Sequence, residues 1–558
     1  MLIAGFQQLM ATTDSGAHWT QISPDLTVRA DAPSAPSTAG GTAPPPGGAI
    51  ESISASTIAA GTIWVGTGNG LVKLTRNSGK TWEDVSIAGL PNPSRAEVNI
   101  DASRTNAASA YASIDLHRVG DYTPYLFRTH DYGKTWTKII GDLPANQPSG
   151  SFSRVIRNDT KKAGLLFAGT ESGMYVSFDD GNHWQSLMQN LPTTSYRDIA
   201  LKDNDLVVAT YGRGFWVLDD YSMLRELSPA VANEPAHLFK SGDAVRNRRN
   251  VGADTPFPPE FTHAENPADG VMIDYWLARA PTSDITLDVL DAAGTVVRHL
   301  TSKPTPPVTE AARPPHPNFW VAPPFVLPRE VGENRTHWDL RYDAPPALSH
   351  SFEINANPGA TPASPEGPVA LPGTYALKLT VDGRTYTQTA TVRADPRSPA
   401  TPAALRTQHD LQMRLLDAIA LSYEARERAG LLRTSLRGVP TGGDLADVAP
   451  RAALLLAQLD TVYGLDGGTR GRGGVAVPSF SGINGTFVAQ LNAQDLGDMA
   501  PTSAALAAFT KACGDLKSAL TSFERLRTKE LATFNTTLTG HGKSAIVVDG
   551  KPFRGPRC

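Results

Sequence analysis

Glu51 and Glu97 fall at nearly the same place in successive repeat stretches, AIESISAS (49–56) and AEVNIDAS (96–103). Asp115 follows in the longer stretch SIDLHRVGDY (113–122). Two carboxyl groups about 5–9.5 Å apart across a sugar-sized cleft are what glycoside hydrolysis needs, one giving a proton while the other attacks or activates water. The three acids are therefore the candidate catalytic groups, and the alternative is that they are solvated residues paired with Arg154 or Arg197. Those arginines stand in the equivalent strands SRVIRND (153–159) and YRDIALKD (196–203). With Tyr211 and Arg213 of YGRGFW (211–216) they make the candidate ligand-binding set. Gly212 and Gly214 let the backbone turn sharply around Arg213, and a guanidinium beside an aromatic ring offers bidentate hydrogen bonds and stacking to a carbohydrate or carboxylate. A sialidase would need three arginines converging on a carboxylate, with a Tyr nucleophile. Arg154, Arg197, Arg213 and Tyr211 offer part of that set, but an early Arg is lacking.

Other chemistries find no support. There is no HExxH, paired CxxC, GxSxG or P-loop, and His117, His130, His183 and His337 are scattered, so neither metal nor cofactor is expected. GTRGRGG (468–474) lacks a preceding strand and a following Lys-Ser/Thr, which argues against a phosphate cradle. The net charge of −4 gives no reason to expect nucleic acid or an anionic membrane as partner. No run of 18 apolar residues occurs, so no membrane span is expected.

The elements that position these residues are marked by a phrase that occurs four times: TTDSGAHW (12–19), TRNSGKTW (75–82), THDYGKTW (129–136) and SFDDGNHW (177–184). Each has a hydroxyl residue, Asp or Asn two places on, Gly two further and Trp three after that. Around them run short β-branched and aromatic stretches such as TIWVGTGNG (62–70) and LLFAGTESG (165–173). Four short strands at a period of about 50 residues match a β-propeller blade. In the hairpin between third and fourth strands, Asp or Asn accepts backbone N–H groups, Gly supplies a positive φ, and the Trp ring packs across the sheet. Asp14, Asn77, Asp131 and Asp179, with Trp19, Trp82, Trp136 and Trp184, are thus read as structural.

The phrase resembles the Asp-box, or bacterial neuraminidase repeat, and the chain resembles Asp-box propellers of the sortilin and sialidase-like kind. That resemblance implies that the boxes lie on the blade periphery, away from the ligand face. It also implies six or more blades, whereas about four and a half are visible here and the last, VVATYGRGFWVLDD (207–220), has no box. A partial or open propeller is expected, or one completed by self-association with another copy. The start, MLIAGFQQLMATTDSG, lacks a basic n-region and cleavage site and reads like the middle of a repeat. The expectation is a chain that begins inside a longer one, with its export signal not included, and a secreted or periplasmic product.

Blades are assigned to 1–222 and an irregular strap, with RNRRNVGADTPFPPEF, to 223–270. DAPSAPSTAGGTAPPPGG (31–48) reads as a mobile loop. Residues 271–396 read as a β-sandwich whose last two strands meet at a DG turn. ENRTHWDLRY followed by LPGTYALKLTVDG resembles the Ig-like domain of flagellar hook-capping proteins and secreted bacterial enzymes. Residues 397–540 read as three long amphipathic helices in an antiparallel bundle, with GLDGGTRGRGGVAVPSFSGING (464–485) a Gly-rich excursion, and 541–558 as a tail. Cys513 lies on the apolar helical series Leu506, Phe509, Leu516, Leu520, Phe523 and is read as a core thiol, the alternative being a disulfide to Cys558. The whole order resembles secreted soil-bacterial proteins labelled "glycosyl hydrolase" or "sortilin-like". It implies a mainly β, multidomain protein that binds carbohydrate or protein ligands, with glycoside hydrolysis as the rival activity.

Overall fold

Short β-branched runs separated by turns that demand positive φ give small antiparallel meanders rather than one large sheet. A computed structural model describes residues 1–29, 48–145, 151–248, 258, 260–262, 264, 266–304, 317–348, 350–352, 357–439, 445, 447–464, 478–548 and 550–558. The chain divides into two compact units, Met1–Pro229 and Ala230–Cys558. The segment 31–48 and GTRGRGG fall almost wholly or wholly outside the described residues, as does most of RNRRNVGADTPFPPEF.

Among its described residues the first unit is a propeller-like series of five antiparallel sheets. The first holds Leu2–Gly5, Gln8–Ala11 and Thr20–Gln21. The second holds Ile50–Ala55, Ile63–Thr67, Val72–Thr75 and Glu83–Asp84. Glu97–Ala102, Ala110–Asp115, Tyr125–Thr129 and Thr137–Lys138 make the third. Ser153–Asn158, Leu166–Thr170, Met174–Ser177 and Gln185–Ser186 make the fourth. The fifth has three strands, Tyr196–Lys202, Asp205–Thr210 and Phe215–Leu218.

The recurring eight-residue phrase forms the turn before the last strand of the first four sheets. In the third sheet Asp131 Oδ1 accepts from Thr129 Oγ1 at 2.8 Å and Thr135 N at 2.9 Å, while Gly133 N donates to Thr129 Oγ1 at 2.9 Å. Thr12, Asp14 and Gly16 repeat that pattern, as do Thr75, Asn77 and Gly79, and Ser177, Asp179 and Gly181. The tryptophan ties its sheet to the preceding one. Trp82 Nε1 donates to Ile22 O at 3.1 Å, Trp136 to Val85 O at 2.8 Å and Trp184 to Ile139 O at 2.8 Å. Glycine is required at the same turn: Gly79 has φ 88°, and a Cβ there would stand 2.2 Å from Ile22 O.

In the second unit two sheets share one apolar core. One contains Val271–Leu277 and Gly332–Trp338, the other Thr286–Leu290, Val296–Thr301, Gly373–Val381 and Arg384–Ala394. The stretch expected to be irregular supplies one further strand to each, Ala236–Leu238 and Ala244–Arg246. Both are three residues long, too short to show a period-2 pattern.

The helical part departs from three helices. It comprises α1 (Pro402–Arg437), α2 (Val448–Tyr463), α3 (Phe480–Gln494), α4 (Ser503–Arg525), a π-helical turn at Leu526–Glu530 and α5 (Leu531–Gly540). α3 begins inside the presumed Gly-rich excursion, where Ser479 caps it by accepting from Gly482 N and Phe480, Ile483, Phe487 and Leu491 are buried. Gly482 and Gly485 had concealed a period-3.6 apolar face. Cys513 is buried as expected, but as a disulfide with Cys558 rather than a free thiol. The tail folds back over the helices, with Phe553 against Phe523 and under Arg428, which brings the two Cα atoms to 5.6 Å.

Candidate functional site

One backbone irregularity recurs where the first strands begin. The pairing slips by one residue between Ile50 and Ser52, between Ser153 and Val155, and between Tyr196 and Asp198. The residues left over are Glu51, Arg154 and Arg197, and a bulge of this kind re-aims the side chain it carries. In the third sheet there is no slip, and Glu97 pairs directly across from Asp115. These strand ends, with the turns that follow the second strands, make one rim along the first unit.

Arg154 is spent within that rim. Its Nη1 donates to Asp115 Oδ2 at 2.6 Å, and its Nε and Nη2 to Glu171 Oε2 at 2.9 and 2.8 Å. The guanidinium also lies 4.3 Å from the Phe152 ring, on which His117 stacks at 4.9 Å. Asp115 accepts in addition from His117 N at 2.9 Å and contacts His117 Nδ1 at 2.7 Å, while Glu171 accepts from Ser195 Oγ at 2.7 Å. Although it falls in the longer stretch SIDLHRVGDY, Asp115 is the buried last residue of its strand. Thr67, Thr170 and Thr210 hold the same place in the neighbouring sheets, each accepting an N–H of the turn ahead as Asp115 does.

Glu97 differs from both fixed acids. Burial is the largest influence on its carboxyl and pushes its pKa above the ordinary value; Arg118 opposes this, while Asp115 and Glu51 reinforce it. Its ion-pair partner, Arg118 at 2.6 Å, is 73% exposed. Glu51 is exposed and reaches over Gly68, where a Cβ would come 2.8 Å from its Oε1.

At the far end Arg197 lies 4.8 Å over the ring of Tyr211, which is 70% exposed. Among the described residues Arg197 makes no ion pair. Arg213 stands exposed between Gly212 (φ 79°) and Gly214 (φ 74°), with Trp216 Nε1 donating to its carbonyl at 3.0 Å. The rim thus offers a ligand Glu51, the Glu97–Arg118 pair, Arg197, Tyr211 and Arg213. Arg154 is not available to share a substrate carboxylate, so the partial sialidase set is not assembled. Glu171 escaped the sequence reading. Its signal was there, because it follows Thr170 as Gly68 follows Thr67 and Tyr211 follows Thr210.

A second polar chain resembles a nucleophile relay but is a tie. Ser109 Oγ contacts His130 Nδ1 at 2.8 Å and His130 Nε2 contacts Asp180 Oδ2 at 2.8 Å, yet Ser109 is 2% exposed. Asp180 also accepts from Tyr111 OH at 2.7 Å, joining the third sheet to the fourth. Among the described residues no three His, Cys, Asp or Glu side chains are grouped to hold a metal ion, and no helix is long and apolar enough to cross a membrane.

No protein-family model matches the chain. No curated protein matches it either. Similar solved structures include YCF48 from Cyanidioschyzon merolae, 18% identical, covering 31% of this chain and 54% of that one at a TM-score of 0.23. A GH74 xyloglucanase from Xanthomonas campestris is 14% identical over 31% of this chain and 29% of its own, with a TM-score of 0.24. PorZ, a surface component of the type-IX secretion system of Porphyromonas gingivalis, is 13% identical over 70% and 57%, at 0.23. This chain spans less than two thirds of the length of each. Likeness of this degree carries no argument about ligand or chemistry.

Proposed function

We propose that the first unit is an Asp-box propeller module that binds a carbohydrate or protein ligand on its rim, the sandwich (read as Ig-like) and the helices serving as accessory domains. The observation that carries this reading is the division of the charges. Asp115 and Glu171 are both paired to Arg154, while Arg197, Tyr211 and Arg213 face solvent with no ion-pair partner among the described residues. Groups already paired hold a surface in shape, and unpaired ones beside an exposed ring are what recognition uses. The Cys513–Cys558 disulfide supports a secreted or periplasmic location, since such bonds persist in oxidising compartments.

The rival is glycoside hydrolysis, favoured by Glu97, whose raised pKa suits a general acid. A polysaccharide array read both for retained protein and for released reducing sugar separates the two. Release abolished by Glu97→Gln or Glu51→Gln would make the protein an enzyme, retention without release establishes a carbohydrate-binding module, and silence in both sinks hydrolysis and carbohydrate binding and leaves a protein as the rim's ligand.

Self-association remains part of the proposal. Phe215 and Val217 are 80% and 54% exposed, at positions matching Val72 and Leu74, or Met174 and Val176, which are buried in the earlier sheets. A second copy covering them would give concentration-dependent sedimentation that Phe215→Asp removes. Wild-type protein that stays monomeric at every concentration would refute it.

A further inference from the structure

We propose that Arg197 anchors a site for an acidic polysaccharide, one whose sugar units carry carboxylates, as a polyuronate does. The inference rests on the reading of the rim as a ligand-binding surface and adds the chemical class of the ligand. Its basis is a comparison of the chain with itself. Arg154 and Arg197 occupy the same bulge of consecutive sheets. Arg154 is satisfied by two carboxylates: Asp115, which ends the second strand of the preceding sheet, and Glu171, which follows the second strand of its own.

The two corresponding positions around Arg197 are Thr170 and Tyr211. Neither is an acid. Thr170 is engaged in its own turn, accepting from Gly173 N at 3.0 Å, and Tyr211 lies under the guanidinium as a flat floor. The fold therefore presents the same guanidinium twice, once with its carboxylates built in and once without. The group that completes the second is a carboxylate from outside.

Tyr211 points to a sugar as the carrier. Its ring is mostly exposed, and a Cβ at Gly212 or Gly214 would meet nothing within 4 Å, so the approach to the ring is open. The guanidinium covers one face of the ring, so the apolar C–H face of a pyranose lies against the other while a carboxylate at its edge meets the guanidinium. Arg213, two residues along, is placed to meet a second acid of the same chain, which a polymer with a carboxylate on each unit supplies.

The test is binding of the purified full chain to polygalacturonate, to neutral galactan and to poly-glutamate of matched charge. Polygalacturonate should bind best, and Arg197→Gln should weaken it by about tenfold or more, the usual consequence of losing a charged hydrogen-bond partner. Thr170→Asp supplies the missing acid from within, at the place where Asp115 both caps its turn and pairs with Arg154. It should weaken binding equally, measured at a temperature where circular dichroism shows the variant folded. Should that variant fold poorly, Tyr211→Glu, at the exposed counterpart of Glu171, asks the same question. Galactan binding as tightly as polygalacturonate, or Arg197→Gln leaving affinity unchanged, overturns the carboxylate site while the rim reading stands. Poly-glutamate binding as tightly overturns the choice of polysaccharide, since charge alone would then suffice. Failure of all three polymers, with a silent array, overturns the polysaccharide site and, with it, carbohydrate as the rim's ligand.

Discussion

Asp131 is a half-buried carboxylate whose worth lies in its turn, and its chemistry gives that turn an acid limit. The Thr135 N–H is the largest of the influences that lower its pKa to about 2, with Thr135 Oγ1 and Thr129 adding to it. A folded value below the ordinary carboxylate value of 3.8 means that the ionised form favours folding. Its contribution is complete above about pH 4 and disappears as pH falls toward 2. Asp131→Ala should lower the thermal midpoint at pH 7, and the gap from wild type should close at pH 2. Asp131→Asn should fold with a flatter acid limb, because Asn77 already does this work in the second sheet. Equal acid sensitivity in wild type and Asp131→Asn would refute the assignment. Glu97 has the opposite sign. A carboxyl whose folded pKa is raised favours folding below its ordinary value and loses that contribution as pH climbs through the folded one. Glu97→Gln should therefore melt with wild type at pH 4 and above it at pH 7.5, the loss of the exposed Arg118 contact counting for little. A variant that melts lower at pH 7.5 would show that Arg118 outweighs burial.

Between elements, the sandwich and the helices are joined by buried charge. Arg246, 3% exposed, pairs with Asp498, and Arg248 reaches both Asp498 and Asp495, the latter at 2.8 Å. Arg341 meets Asp495 Oδ2 at 2.8 Å from the other side. Burial alone would raise the Asp498 carboxyl, but Arg246 and Arg248 outweigh it and hold its pKa below the ordinary value. Asp498→Asn leaves two arginines short of a partner in a desolvated place, and removing one member of such a pair costs about 3–5 kcal/mol. A drop of that size in the unfolding free energy of the second unit is expected by denaturant titration, and a change below about 1 kcal/mol would mean that water satisfies the arginines. None of this clamp was legible beforehand. Arg246 and Arg248 belong to a segment read as an irregular strap, and the acids to a loop between α3 and α4, the first of which was itself hidden by Gly482 and Gly485. Long periodic helices and the DG hairpin were legible because each carries its signal within a few residues. Contacts 250 residues apart carry none.

For the whole molecule, the same contrast separates what repeats from what does not. The four turn phrases announced the small sheets of the first unit because each restates one local solution, and the rim acids and arginines could be placed by aligning them. Glu171 is less legible because it lies one residue past the end of its strand, where the repeat has Gly, Glu or Tyr. The disulfide had no such guide, since the apolar series around Cys513 fits a free core thiol equally well and the tail that returns to it has no periodicity. That bond now supplies a handle on the molecule as a whole. Hydrophobic clusters around Val98, Ile156 and Leu9 lie in Met1–Pro229, and others around Leu415 and Ile273 lie in Ala230–Cys558. Separate cores imply separate cooperative transitions. Calorimetry should resolve two, and a dithiol reductant should move only one. Opening a crosslink between residues 45 apart in sequence restores chain entropy worth about 4 kcal/mol to the unfolded second unit. The first unit, which has no cysteine, should melt unchanged. Trp184→Ala should do the converse, lowering the first unit's transition by about 3–5 kcal/mol through the lost ring and its bond to Ile139 O, and leaving the reductant-sensitive one in place. A single transition that both changes shift together would mean that the units fold as one, and the separate-core argument would fall.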